Sequence, residues 1–235
     1  MNVNTVSNAY LILENEIAKM FDEQVINGPF YSAFSQRKLT DEQIAKFSIQ
    51  YGHHRCYFHQ LLGATIACAP PCDKWWAPIV ENLYDECGRG VAGMGHGELY
   101  NTYLKSVIPD VELTAFGTPA IPAEDFIFEY NRLALDFYKN ATYLEAFGYM
   151  GPGNELLTIP MYKSILIGLE ERGYDLNFWK IHIEEVEEEH YGSIRNLLSS
   201  YEDEESLKQI ENGAKTSIEH MKWFYNEFYD YLFLK

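Results

Sequence analysis

The chain has 235 residues, enough for one large domain or two small ones, and its 47% hydrophobic and 23% charged residues are ordinary for a folded protein. Its formal net charge of -17 would be repelled by phosphate backbones and anionic lipids, which argues against nucleic-acid and membrane partners. The four cysteines form no CxxC pair, and the N-terminal residues lack the basic and apolar regions of a secretory signal. Reduced thiols and a cytoplasmic location are therefore expected.

Apolar residues at helical spacing, separated by short breaks, predict helices along the whole chain. Thr40 with Gln43 forms a capping box that begins one of them, and prolines at 109, 119 and 122 mark the longest loop. In chain order the predicted helices cover residues 8–27, 40–67, 73–86, 96–108, 123–150, 155–173, 176–200 and 204–232.

The alternation of apolar and polar residues that is typical of strands is nearly absent. No internal repeat is found, and no linker is long enough to divide the chain into domains. The prediction is a single all-α domain over residues 1–235, a bundle of seven or eight helices.

The segment "NLYDECGRGVAGMGHGELY" at 82–100 contains the first candidate ligands. Glu86 lies among apolar neighbours, and His96 follows a run of glycines. One interpretation brings this carboxylate and this imidazole together across an irregular turn. The other is a helix end with a surface glutamate and a capping histidine.

The acidic segment "HIEEVEEEHYGS" at 182–193 contains two more candidates, His182 and His190. On a regular helix these histidines point about 80° apart, because each residue turns the helix by about 100°. One inserted residue, a π-bulge, would align them and would place Glu187 between them. A solvated glutamate-rich face is the alternative, but it leaves both histidines unexplained.

Glu155 begins the apolar stretch "ELLTIPMY", where it is either a buried carboxylate or a charge favoured by the helix dipole. His53, His54 and His59 are interpreted as core or pocket-wall residues. No nucleophilic triad, dinucleotide-binding motif or P-loop is found.

Together, Glu86, His96, Glu155 and "HIEEVEEEH" resemble the heme-oxygenase-like diiron oxidases, also described as iron-containing redox enzymes. The resemblance covers residues 35–200, and "WWAPIVENLYDECGRG…HGELY" is its most specific part. The family typically ends its ligand set with His-x3-Asp-x2-His on a late core helix. Here seven residues rather than six separate the histidines, and the aspartate is absent.

The resemblance implies a heme-oxygenase-like helical fold and two Fe(II) ions. The implied ligands, matched by position, are Glu86, His96, Glu155, His182, Glu187 and His190. Glu145 is the rival of Glu155, and Glu189 is the rival of Glu187. The departure from the family pattern predicts a second iron site that is weaker or assembled only transiently.

The implied activity is O2-dependent oxidation of a small amino-acid-like substrate, with tryptophan or a derivative converted to a nitrile as the favoured case. A fatty-acid oxidative decarboxylase is an alternative. The expected partners are this small molecule, O2 and an external electron donor, with a homodimer left open. Other hypotheses are a metal-free binding protein or thiamin-salvage-like hydrolase on the same fold, and a purely structural acidic helical protein.

Overall fold

The computed structural model describes residues 6–183 and 187–235, apart from the side chains of residues 187–189. Within these ranges the regular structure is helical, and extended backbone pairs only in one bridge between Leu113 and Pro119. The predicted all-α class is confirmed. The α-helices are α1 (Asn8–Phe21), α2 (Pro29–Ser35), α3 (Asp41–His54), α4 (Phe58–Cys68), α5 (Asp73–Glu86), α6 (His96–Val107), α7 (Asp125–Tyr138), α8 (Tyr143–Met150), α9 (Leu156–Leu169), α10 (Asn177–Ile181), α11 (Glu187–Leu198) and α12 (Glu204–Phe233).

Several long predicted helices are divided in the structure. A 3-10 turn, Arg55–Tyr57, separates α3 from α4, and a new cap at Thr142 separates α7 from α8. The Thr142 hydroxyl accepts from the Glu145 backbone N–H, while the Glu145 carboxylate accepts from the Thr142 N–H. The sequence "TYLE" is itself a capping-box signature, so this division was readable from the sequence and was missed.

Two segments near the candidate ligands have π-helical hydrogen bonding. The "GPGN" stretch was expected to interrupt the chain, but Gly151–Glu155 forms a π-helical turn that continues from α8 into α9. His182 and Ile183 also have π-helical hydrogen bonding, where the sequence placed an inserted residue. Residues 184–186, over which that bulge would extend, lie outside the described part of the chain.

The longest helix, α12, packs against α8 and the Gly151–Glu155 turn through small residues. Its buried positions recur every three or four residues, as expected for one apolar face. A Cβ added at Gly153 would lie 2.8 Å from Ala214 Cα and 2.9 Å from Ser217 Cβ. Glycine therefore allows the π-helical turn to approach α12 closely, and this approach places Glu155 inside the bundle.

Helix α1 is attached to α11, the helix that carries His190, by a partly buried ion pair. Arg195 donates to the two oxygens of Glu14 from Nε and Nη2, at 2.7 Å each. The Tyr191 hydroxyl donates to the same carboxylate. A bidentate pair of this kind fixes the relative position of two helices more firmly than a single contact.

Glu14→Ala should therefore lower the free energy of unfolding by about 1–3 kcal/mol, because Arg195 and Tyr191 lose their acceptor in a partly buried setting. Urea denaturation would measure the change. The matched control is Glu16→Ala, an exposed position on the same helix, which should stay within about 0.5 kcal/mol of the parent. Equal effects of the two substitutions would contradict the role given to this ion pair.

None of the described helices combines the length and apolar composition that a bilayer crossing requires. All four cysteines are unpaired in the structure.

Candidate metal centre

The first cluster of candidate ligands forms where the chain turns back after α5. Glu86 is the last residue of α5, and His96 is the first residue of α6. Gly88 has a φ of +73°, and a Cβ at that position would overlap the backbone of Gly95. Glycine thus permits the tight return, which brings His96 Nδ1 to 2.9 Å from Glu86 Oε1. Of the two interpretations of this segment, the irregular turn that joins them is the one observed.

His182 completes this cluster from the end of α10. Its Nδ1 lies 2.6 Å from the carbonyl oxygen of Phe178. Because a carbonyl only accepts, Nδ1 carries the proton and Nε2 keeps its lone pair. The ligand atoms of Glu86, His96 and His182 all lie within 4.8 Å of one another, and all three residues are buried.

The residues of the first cluster shift one another's pKa values. Burial alone would raise the pKa of Glu86, but His96, followed by His182 and His190, lowers it to about 2. Burial opposes the charged form of His96, yet the Glu86 carboxylate raises the pKa of His96 above its ordinary value. Burial, with the nearby charge of His96, lowers the pKa of His182 to about 4. The cluster therefore presents an ionised carboxylate and a neutral His182 at neutral pH.

A second group, Glu155 and His190, lies beside the first. Glu155 is 2% exposed, and its Oε1 accepts from Asn82 Nδ2 at 2.5 Å. His190 Nδ1 is 4.0 Å from Glu155 Oε2, while its Nε2 is 3.2 Å from Asp85 Oδ2. If Nε2–H donates to the Asp85 carboxylate, the lone pair of Nδ1 faces Glu155.

Asp85 and Asn82 were missed in the sequence. Both belong to α5, and the consecutive residues Asp85 and Glu86 reach His190 and His96 respectively. The signal that could have found Asn82 is its position one helical turn before Glu86 on the buried face of α5. Asp85 lies one residue before that face, so no periodic signal marked it.

The rival ligands have different outcomes. Glu145 caps its own helix through Thr142 and is not part of either cluster. The side chains of Glu187 and Glu189 lie outside the described residues, so their assignment stays a prediction.

The buried nitrogen and oxygen atoms of the two groups suit an iron ion. Among the described residues, Nδ1 of His190 is buried without a hydrogen-bond partner, and Nδ1 of His96 is buried close to Glu86 without the alignment of a hydrogen bond. A buried polar atom of this kind carries a desolvation cost unless something binds it. Imidazole nitrogens and carboxylate oxygens in a buried group are ligands that Fe(II) accepts.

A cavity with about 820 Å³ of empty space, open solvent included, borders these groups. Glu86, His96, Glu155 and His182 form part of its wall. Much of the remaining wall is aromatic: Tyr51, Tyr57, Phe58, Tyr130, Tyr162, Phe178 and Tyr225. His54 and His59 also line it, in agreement with their interpretation as pocket-wall residues, whereas His53 bonds to the Ile121 carbonyl.

His54 should make the fold sensitive to acid. Burial lowers its pKa from 6.5 to about 3. Between pH 6.5 and about pH 3, His54 is therefore protonated in the unfolded chain but neutral in the folded chain. The stability contributed by neutral His54 is complete above pH 6.5 and is lost as the pH falls toward about 3, by at most about 1.4 kcal/mol per pH unit.

His54→Phe keeps a ring in place and removes this titration. Urea unfolding at about pH 7.5 and about pH 5.5 should show a smaller loss for the variant than for the parent. His53→Phe, at the half-buried position next to His54 that lies outside the cavity wall and bonds to the Ile121 carbonyl, serves as the control and should behave like the parent. Parallel losses in all three proteins would show that His54 does not cause the acid sensitivity.

A family model described as iron-containing redox enzyme matches residues 45–221 of the chain. No curated protein is similar enough in sequence to match. Among solved structures, a CADD-like protein of unknown function from Nostoc punctiforme has a TM-score of 0.72 at 17% identity, covering 94% of this chain and 98% of that one.

Two further solved structures are similar. A domain of unknown function with a heme oxygenase-like fold from Shewanella denitrificans has a TM-score of 0.73 at 12% identity, over 97% of this chain and 94% of that one. A TenA homolog from Pseudomonas syringae pv. tomato has a TM-score of 0.70 at 11% identity, over 97% and 95%. These likenesses confirm the heme-oxygenase-like helical fold.

Proposed function

Because this chain belongs to the family of iron-containing redox enzymes, we propose that it is a non-heme diiron oxidase that uses O2 to oxidise a small amino-acid-like substrate. The observation that carries the proposal is the pair of buried histidine–carboxylate clusters served by consecutive residues of α5. Glu86 faces His96 at 2.9 Å, and Asp85 faces His190 at 3.2 Å. One helix end thereby supplies carboxylates to both clusters.

Glu86, His96 and His182 would hold the first ion. Glu155, His190 and Glu187 would hold the second, with Glu187 assigned from the sequence alone. When bound, iron supplies the binding and reduction of O2, which amino-acid side chains do not perform. Because Glu187 replaces the aspartate of the family pattern, the second ion is expected to bind more weakly than the first.

The protein's own part is to orient the ligands and enclose the substrate. The Phe178 carbonyl fixes the tautomer of His182, and Asp85 holds the ring of His190. Asn82 donates to Glu155 and fixes the direction of that carboxylate. Outer partners of this kind typically account for about 10- to 100-fold in metal affinity. The aromatic side chains of the cavity wall offer apolar contacts to a substrate.

The favoured substrate is tryptophan or a derivative, converted to the nitrile. The balance closes with O2 alone: the amino acid loses its carboxyl group as CO2, its amine nitrogen becomes the nitrile nitrogen, and O2 accepts the released electrons and protons to form two waters. An external donor is then needed only to reduce iron that has become oxidised outside turnover. A fatty-acid decarboxylation remains the second substrate class.

The test is an anaerobic Fe(II) titration of the metal-free protein, followed by an O2 pulse with and without tryptophan. Absorbance and Mössbauer spectroscopy would follow the iron. Uptake approaching two irons per chain, with O2-dependent oxidation, is the expected result, and acceleration by tryptophan would support the substrate. The same protein loaded with redox-inert Zn(II) is the control and should consume no O2.

Failure to bind iron above background would overturn the proposal. It would favour a metal-free binding protein or a hydrolase of the thiamin-salvage type, in which the same cavity works without a metal.

A further inference from the structure

Arg55 differs from every other arginine of the chain in having no carboxylate partner among the described residues. The chain carries 35 acidic and 18 basic residues, so an arginine side chain readily finds an anion. Carboxylates lie within ion-pairing distance of all the others, namely Arg37, Arg89, Arg132, Arg172 and Arg195. The one arginine left without a described acidic partner is also the one that lines the cavity beside the metal-ligand clusters.

The guanidinium of Arg55 is held on one side. Its Nη2 donates to Asn101 Oδ1 at 3.0 Å and to the Gly117 carbonyl at 3.2 Å. The group also lies over the ring of Tyr100, 5.1 Å from the ring centroid. These contacts use one nitrogen and one face, and they leave the donors of the other nitrogens for a ligand.

Nε of Arg55 is buried and has no hydrogen-bond partner in the part of the chain that the structure describes. Nη1 lies close to Gly97, the residue that follows His96, since a Cβ added at Gly97 would be 2.7 Å from it. Glycine at this position makes room for the guanidinium next to a candidate metal ligand. Arg55 therefore offers unused, pre-oriented donors near the place where the substrate would react.

An unpaired buried donor on a permanent cation is costly, and the group that satisfies it best is a carboxylate, whose negative charge forms a strong charge-assisted hydrogen bond with a guanidinium N–H. Two uncharged polar atoms on the same cavity wall, His54 Nδ1 and Asn131 Oδ1, are likewise buried without a partner among the described residues. They can serve the other polar atoms of a ligand, whereas Arg55 is the only one of the three with a permanent charge.

We propose that Arg55 binds the carboxylate of the substrate and so makes this a site for carboxylic acids. The inference rests on the proposed function for the identity of the site, and it deepens that function by naming the group that anchors the substrate. Both amino acids and fatty acids carry this group, and the experiment separates them.

Binding to the full chain would be measured by calorimetry or ligand-observed NMR under anaerobic conditions, with and without Fe(II). The probes are matched pairs: tryptophan with tryptamine, and octanoate with octanol. In at least one pair the acid should bind about tenfold or more tightly than the partner that lacks the carboxylate. The pair that does so identifies the source of the carboxylate.

Arg55→Met should weaken the acid by about 10- to 100-fold and leave the partner without a carboxylate unaffected. The matched control is Arg132→Met, which removes an exposed arginine from its surface ion pairs and should change neither affinity. If neither acid binds the parent, or if the acid binds Arg55→Met as tightly as the parent, the inference is overturned.

Asn101→Asp covers the case in which Arg55→Met fails to fold. The substituted carboxylate would keep the hydrogen bond to Arg55 and add a competing negative charge beside it, at nearly unchanged size. A folded variant with weakened acid binding is expected. Unchanged acid binding would mean that Arg55 only ties α6 to the loop at Gly117.

The role of Arg55 and the oxidase function can be refuted independently. Iron uptake with acid binding that is independent of Arg55 overturns the anchor alone. Acid binding that depends on Arg55 without any iron uptake overturns the oxidase alone.

Discussion

Replacing His182 by alanine is expected to abolish iron binding at the first cluster and to reduce the total uptake by about one ion per chain. The Phe178 carbonyl presents the Nε2 lone pair of His182 toward Glu86 and His96, and no other described side chain belongs to this group of ligand atoms. Loss of an outer partner typically lowers metal affinity by about 10- to 100-fold, and loss of a ligand itself should lower it by at least as much. Anaerobic titration with Fe(II), read by Mössbauer spectroscopy, measures the uptake.

The control for this substitution is His53→Ala, a histidine outside the cavity wall, which should bind iron like the parent. His190→Ala should remove the second ion while leaving the first, because its Nδ1 faces Glu155 rather than Glu86. Circular dichroism would establish that each variant is folded. Full iron uptake by folded His182→Ala protein would refute the assignment of the first cluster.

Gly213→Ala is expected to be among the most destabilising single-methyl additions in the protein. A Cβ at Gly213 would lie 2.8 Å from the Tyr149 backbone nitrogen and closer still to the Glu145 carbonyl oxygen. The obstructing atoms are backbone, so α12 and α8 must separate. Overpacking typically costs about 1–3 kcal/mol, and a clash with backbone atoms lies at the upper end of this range. After subtraction of the gain of about 1 kcal/mol from replacing a helical glycine, a net loss of about 2 kcal/mol is expected.

The matched control is Gly63→Ala on α4, where an added Cβ meets nothing within 4 Å. This variant should be neutral or stabilised by up to about 1 kcal/mol, through helix propensity alone. Urea unfolding would compare both variants with the parent. Because α12 also packs on the turn that carries Glu155, Gly213→Ala should weaken iron binding at the second cluster. A neutral Gly213→Ala would mean that the two helices are not packed at this distance.

Local sequence signals were sufficient for the helical class and for part of the site. The period of apolar residues, the capping box at Thr40 and the glycines after Glu86 act over a few residues, so they are readable in one chain. Glu86 and His96 are separated by only a short segment, but the sequence left open whether they meet, and the structure shows that they do. The expectation of iron came from the resemblance to the heme-oxygenase-like diiron oxidases, and the residue types agree with it because carboxylates and imidazoles are ligands that Fe(II) accepts.

The other features of the site depend on packing between segments that are distant in the sequence. The sequence assigned Glu155 by its position and kept Glu145 as its rival. In the structure Glu145 caps its own helix, while the turn that contains Glu155 packs closely against α12. The π-helical turns are changes in backbone hydrogen bonding, which side-chain periodicity does not encode.

The sequence by itself determined that the chain is helical and which of its residues are candidate metal ligands. Only the tertiary structure decided that Asp85 supports His190 and that Arg55 lies at the cavity without an acidic partner among the described residues. The physical reason is that periodicity and caps are properties of neighbours in the chain. Burial and charge pairing instead depend on which remote side chains share the same small volume.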